Sequence, residues 1–217
     1  SYLWHIRSHW WYIRWNKWAA WWVAPWIKVI NDTAIAVNQL WTRKWSISVT
    51  LDMWHRDIAE FMELQTETWD IRRKSFDVFP AISIPDLFMK RVEKNWNWTL
   101  FDPKEIKDVT WKSLEDFFWD EFEKFYVECE NNKKLTLNKT ILAKNIFKTY
   151  LKSVVETWMP YAFFRDTVNK LNPNKHAWNI YSTQLCTEIC QNTSPSKFIE
   201  ESYENWEVSV KYTPGDT

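Results

Sequence analysis

The chain has 217 residues, enough for one domain with a sizeable core. It carries 28 Lys and Arg against 28 Asp and Glu, which excludes the basic excess that phosphate neutralisation gives a duplex-binding protein. Its one glycine and 19 tryptophans break the ordinary pattern, because glycine usage near 7% would give about 15.

Residues 1–24 read as a loop, with Arg7, Arg14 and Lys17 set among tryptophans. Pro25 suits a helix start, and Ile27, Ile30, Ala34 and Val37 follow at helical spacing, so the spacing predicts a helix over 25–39. LWTRKW, 40–45, breaks it. SISVTL, 46–51, alternates with β-branched residues and reads as a strand. WHRDIAEFMELQ, 54–65, is expected to be a helix with Ile58, Phe61, Met62 and Leu64 facing inward.

FDVFPAISI, 76–84, reads as a strand with an irregularity at Pro80, and PDLFMKRVEK, 85–94, as a helix opening on Pro85. Leu114, Phe117, Phe118, Phe122, Phe125 and Tyr126 form one stripe over 113–129, the mark of a core-facing helix. A second amphipathic helix is expected over 139–157. MPYAFF, 159–164, and YSTQLCTEI, 181–189, look like strands or buried extended segments. Helices alternating with short apolar strands give an α/β class.

The tryptophans stand where glycine is expected. EKNWNWTLF, 93–101, and YENWEVSV, 203–210, put Asn-Trp where Asn-Gly would mark a hairpin turn, and ETWDIR, 67–72, shows the same habit. A residue with a β-carbon costs roughly 1–2 kcal/mol in the left-handed region, so about ten such sites would remove most of a normal stability.

Three cysteines, Cys129, Cys186 and Cys190, are too few and too odd for a disulfide framework, and fit a reducing compartment. The opening SYLWHIRSH has no apolar run of a signal peptide, and no stretch reaches about 18 uncharged apolar residues, so a cytoplasmic chain without membrane contact is expected. The glycosylation triplets at Asn97, Asn138 and Asn192 then read as chance. His5 and His9 are four apart but lack the Glu of a zincin helix, so no metal is expected. Basic and aromatic residues mixed over 1–22 fit stacking on single-stranded bases, but tryptophan standing for glycine is the stronger reading.

In STQLCTEIC, 182–190, Gln184, Cys186 and Glu188 recur at two-residue spacing. An extended segment would put an amide, a thiol and a carboxylate on one face, which is a candidate reaction centre. The plainer reading is a buried cysteine in an ordinary strand.

Three separated stretches resemble the large, catalytic subunit of ribonucleotide reductase: NDTAIAVNQLWTRKWSISVTLDMWHRDIAEFMELQTE (31–67), SIPDLFMKRVE with WTLFDP (83–103) and STQLCTEICQNTSP (182–195). The family pattern Asn-Gln-x-Gly-x-Arg-x-Gly is similar to Asn38-Gln39-Leu40-Trp41-Thr42-Arg43-Lys44-Trp45, which sets Trp41 and Trp45 on family glycines. Trp10, Trp11 and Trp15 fall in a similarly glycine-rich family loop, whereas Trp26, Trp54 and Trp98 look like the family's own tryptophans.

The resemblance implies part of a ten-stranded α/β barrel. It divides the chain into effector-specificity loops at 1–45, barrel strands and helices at 46–180, and a radical-cysteine segment at 181–195. It implies radical reduction of ribonucleotides to deoxyribonucleotides, regulated by dNTP and ATP effectors. Cys186 matches the cysteine that becomes a thiyl radical, Glu188 the general base for the 3′-hydroxyl, and Gln184 a position where many members have a substrate-binding Asn. Arg7, Ile13, Gln39 and Arg43 match effector-binding positions.

The implied partners are a ribonucleotide substrate, a metal-containing radical-generating small subunit, an external dithiol and a second copy of the complete subunit, with no nucleic acid. Family members are several times longer. The reducing cysteine pair and the tyrosines of the radical relay are expected outside this chain, because Cys129 and Cys190 do not match that pair. The chain alone is therefore expected to be inactive. A tryptophan-rich binding module for bases or sugars, or an altered chain that does not fold, are the alternatives.

Overall fold

The computed structural model describes residues 23–37, 45–67, 74–176, 179–191, 197–204 and 207–213, the last two as backbone only. Its centre is a parallel sheet of three strands, β1 (Ile47–Asp52), β2 (Val78–Ile84) and β5 (Tyr161–Phe164), in the order β1-β2-β5. Ile47 to Asp52 lie opposite Val78 to Ser83, and Ala81 to Ile84 opposite Tyr161 to Phe164. Pro80 stands one residue before the stretch that β5 joins. There β2 still has an open edge, the setting in which a missing N–H is tolerated.

Parallel neighbours need long crossovers. The first contains α2 (Ile58–Met62). The second contains α3 (Asp86–Glu93), β3 (Asn97–Leu100), α4 (Pro103–Thr110), α5 (Trp119–Asn131), β4 (Lys139–Leu142) and α6 (Ala143–Thr157). Helix α1 (Val23–Ala36) precedes the sheet, and α7 (Arg165–Leu171) follows β5 directly. Strands β3 and β4 pair antiparallel, as do β6 (Lys197–Glu204) and β7 (Glu207–Thr213). Among the described residues the outer edges of β1 and β5 meet no further strand. The architecture is the expected α/β class, and three parallel strands fit part of a barrel.

The core lies between the sheet and the crossover helices. Val49, Leu51, Ile82 and Ile84 of the sheet join Ile27, Phe61, Phe88, Trp98, Phe122 and Tyr126 in one buried cluster. Trp98 stacks on Tyr126 at 4.4 Å, and its indole N–H donates to the Met53 carbonyl at 3.2 Å. Arg91 covers both rings and donates to both oxygens of Glu130 at 2.7 Å. Trp54 and Trp98 are therefore core residues, whereas Trp26 is 56% exposed.

Several expected elements differ in extent. The helix of 25–39 runs over Val23–Ala36, which puts Pro25 inside its first turn. The helix of 54–65 shrinks to Ile58–Met62, although Ile58, Phe61, Met62 and Leu64 are all buried. Its start is lost because Arg56 N–H donates to the Phe101 carbonyl, and Phe101 N–H to the Trp54 carbonyl, in a bridge beside β3. The stripe of 113–129 is not one helix. A 3-10 turn at Leu114–Asp116 and extended backbone at Phe117 and Phe118 precede α5, yet Leu114, Phe122, Phe125 and Tyr126 still share the core, with Phe117 packed against it. The helix of 139–157 begins only at Ala143, because Lys139 to Leu142 pair with β3.

The Asn-Trp at 95–96 is a helix cap and not a hairpin turn. Asn95 takes φ 57°, its N–H donates to the Val92 carbonyl at 3.2 Å, and Trp96 N–H donates to the Arg91 carbonyl at 2.9 Å. That pair of bonds is the Schellman closure of α3, with Asn in the left-handed position. Trp111, Trp119 and Trp158 also take positive φ, at 59°, 52° and 61°. Among the described residues, three of the five left-handed non-glycine residues are thus tryptophans, which supports the reading of tryptophan at positions built for glycine. Trp41, Trp69, Trp206 and the tryptophans of 1–22 lie outside the described residues.

Candidate active site

The three parallel strands end together, and polar side chains collect where they end. Asp52 closes β1 and Arg165 opens α7 immediately after β5. Arg165 donates to Asp52 Oδ1 at 3.3 Å, with both side chains 2% exposed. It also donates to the carbonyls of Glu115 at 2.8 Å and Phe117 at 2.7 Å, and lies 4.2 Å from the Phe118 ring centre. A guanidinium this deep is stable only with such partners. Next to it, Asp166 accepts from the N–H groups of Asp86 at 2.8 Å and Trp119 at 3.3 Å, the first residues of α3 and α5. A carboxylate suits both helix N-termini.

One turn along α7, Asn169 reaches the segment that carries the predicted site. Its amide N–H group donates to the Ile180 carbonyl at 2.9 Å, and its oxygen accepts from Ile180 N–H at 2.8 Å. From there the chain continues to Gln184 without forming a strand.

Residues 184–189 form a tight turn, which corrects the expectation of an extended segment over 181–189. Gln184 N–H donates to the Ile189 carbonyl at 3.1 Å, and Thr187 N–H to the Gln184 carbonyl at 3.3 Å. Thr187 takes φ 69°, in the left-handed region. Gln184, Cys186 and Glu188 therefore do not share one pleated face. The Gln184 side chain folds back instead, and its oxygen accepts from Cys186 N–H at 2.7 Å. Its amide nitrogen is buried and has no hydrogen-bond partner among the described residues.

Tyr161, the first residue of β5, responds to the charges of the turn. Its phenol pKa is raised by burial first, then by Cys186 and by the Glu188 charge. Thiol and carboxylate both belong to the turn and not to a strand. Cys186 and Glu188 are exposed. Such a site offers a reactive sulfur, an acceptor for a proton, and an unpaired amide donor.

Cys190 donates weakly to the Thr187 carbonyl at 3.5 Å, and Cys129 is buried in α5; all three cysteines are free. Among the described residues no group of three His, Cys, Asp or Glu is arranged to hold a metal ion, and no helix is long and apolar enough to cross a membrane. Arg7, Ile13, Gln39 and Arg43 lie outside the described residues, as do His5 and His9.

Sequence reading missed Tyr161, Arg165 and Asn169. The visible signal was RDTVN, 165–169, placed directly behind an apolar strand. Charged and amide groups there sit at the end of a sheet, where they are satisfied only by neighbouring elements.

The family model described as ribonucleotide reductase, barrel domain, matches residues 1–208. The ribonucleoside-diphosphate reductase subunit alpha of Treponema pallidum is 46% identical over 206 residues, 94% of this chain and 23% of that protein. The subunit alpha of Synechocystis sp. is 46% identical over 177 residues, 81% of this chain and 23% of that protein. That of Helicobacter pylori strain J99 is 42% identical over 210 residues, 97% of this chain and 25% of that protein. The chain thus spans about a quarter of the length of these relatives. With nearly all of its residues inside the barrel-domain match, and a parallel α/β sheet to go with it, the chain belongs to the ribonucleotide reductase family.

Proposed function

We propose that this chain is the segment of a ribonucleoside-diphosphate reductase alpha subunit that carries the radical-forming cysteine. Cys186, as a thiyl radical, takes the 3′ hydrogen atom of the ribose and becomes a thiol. Glu188 accepts the 3′-hydroxyl proton. The 2′-hydroxyl then leaves as water, because the adjacent carbon radical makes that loss easy. An external dithiol, acting through cysteines outside this chain, supplies the two electrons, and Cys186 returns the hydrogen atom.

The radical comes from a metal-containing partner subunit, which supplies one oxidising equivalent. Gln184 binds a substrate hydroxyl through its amide nitrogen, the buried donor with no partner among the described residues. Arg7, Ile13, Gln39 and Arg43 bind the dNTP or ATP effector, and the complete subunit works as a cytoplasmic homodimer.

The observation that carries this reading is the turn closed from Gln184 to Ile189, which holds Cys186 and Glu188 exposed two residues apart beside the buried, unpartnered Gln184 amide. Hydrogen-atom transfer needs a fixed sulfur with acid–base help beside it, and fixed geometry of this kind is worth several powers of ten in rate. The test uses the complete alpha subunit carrying this segment, assayed with its radical-generating partner. Cys186→Ser is expected to abolish nucleotide reduction, and retained turnover would refute the radical role. Trp41→Gly with Trp45→Gly is expected to restore effector response, since glycine frees the loop to change shape. An unchanged response would refute the loop assignment.

A further inference from the structure

We propose that Asn169 is a positioning residue for the Cys186 turn, holding it against the end of the sheet through a two-bond clamp on the Ile180 backbone. The proposal rests on the reading of Cys186 given above.

The clamp is specific. Asn169 is 2% exposed and Ile180 is 1% exposed, so neither bond competes with water. The Asn169 amide donates to the Ile180 carbonyl at 2.9 Å and accepts from Ile180 N–H at 2.8 Å, so one side chain satisfies both backbone groups of one residue. A neighbouring strand would do the same. The amide's orientation is itself fixed, because the same nitrogen donates to the Arg165 carbonyl at 2.9 Å, one helical turn back. A flipped amide would set like groups against each other at all three contacts.

The clamp is also rigidly mounted. Helix α7 is tied to the end of β1 by Arg165 and Asp52, and to the starts of α3 and α5 by Asp166. Tyr161 and Asn169 belong to the continuous β5–α7 unit. That unit therefore grips the radical-cysteine segment at Ile180 through Asn169. Beyond this grip the chain closes on itself through Gln184 N–H and the Ile189 carbonyl. One fixed point and one closed turn set where the sulfur sits.

Hydrogen-atom transfer is steep in distance, and a displacement of about 1 Å can cost on the order of 100-fold in rate. The test uses the complete alpha subunit with its partner, in the variants Asn169→Ala and Asn169→Asp. Asp keeps the acceptor for Ile180 N–H and loses the donor. Both variants are expected to lower kcat by about 10- to 100-fold with KM little changed. The isotope effect with 3′-deuterated substrate is expected to rise, because hydrogen transfer becomes the slow step. Iodoacetamide is expected to alkylate Cys186 several-fold faster in both.

A fall in kcat that only tracks the loss of folded protein, with the isotope effect and alkylation rate unchanged, would overturn the clamp. So would wild-type values throughout. If Cys186→Ser retains activity, the reading of the site fails instead, and the alkylation rates alone then decide whether Asn169 holds the turn.

Discussion

Trp111 and Trp158 close two different helices in the same way. Each takes a left-handed backbone, with φ 59° and 61°, and each N–H donates at 2.9 Å to the carbonyl four residues back, Lys107 in α4 and Val154 in α6. Both side chains lie in solvent, 89% and 83% exposed. This closure is the single-bond left-handed cap that glycine makes without steric cost. Trp111→Gly and Trp158→Gly are each expected to stabilise the chain by about 1 kcal/mol, because almost no packing is lost and the β-carbon clash is relieved. Thermal melts should show a rise of roughly 2–4 °C per site, additive in the double variant. A fall at either site would show that the indole stabilises its cap.

Glu115 gives stability a pH dependence. The side chain is 2% exposed beside Asp52 and Asp116, and burial pushes its carboxyl up from 4.5 to about 7. The folded chain then binds the proton more tightly than the unfolded chain. Its contribution is complete below pH 4.5 and is lost as the pH rises to about 7. The loss amounts to at most about 3 kcal/mol. Glu115→Gln is expected to flatten denaturant stability across this window. An unchanged slope would mean that Glu115 does not titrate there.

Asp102 and Glu105 have the spacing of a capping box but divide the work differently. Asp102 Oδ1 accepts from Glu105 N–H at 2.9 Å, the usual half. The Glu105 carboxylate turns away and accepts from Thr136 N–H at 2.8 Å, the Thr136 hydroxyl at 2.9 Å and Leu137 N–H at 2.9 Å. Asp102→Ala is expected to cost about 1 kcal/mol as a lost cap. Glu105→Ala should cost more, about 2–3 kcal/mol, because it strands donors across a loop. Equilibrium unfolding of both variants checks the order, and the reverse order would refute this division.

The cysteines should react in sequence. Cys186 is exposed, Cys190 is partly buried with its thiol raised by burial, and Cys129 is 1% exposed with its thiol pushed up to about 12. Thiolate character and access both control alkylation. Mass spectrometry after iodoacetamide is expected to find Cys186 modified first, Cys190 next and Cys129 only on unfolding. Early modification of Cys129 would contradict its place in α5.

Strand and helix identities were largely legible because burial follows a period. Val78–Ile84 and Tyr161–Phe164 fall within the expected runs, and Ile47–Asp52 passes the end of its run, 46–51, by one residue. The failures share one cause. Residues 54–57 and 139–142 carry helical patterns but pair with backbone distant in sequence, at Phe101 and at β3. Local spacing cannot register such partners, and tertiary pairing overrides propensity.

The sequence by itself determined the α/β class, most of the core, the excess of tryptophan at left-handed positions, and the residues Gln184, Cys186 and Glu188 as a candidate centre. These are properties of composition and near-neighbour spacing, which survive without coordinates. Only the tertiary structure decided how that centre is assembled: a turn closed from Gln184 to Ile189 and an amide from α7 holding Ile180. Asn169 and Ile180 stand 11 residues apart in sequence. What brings them together is the direction of β5 and the buried Arg165–Asp52 pair at its end, interactions between elements that no local period encodes.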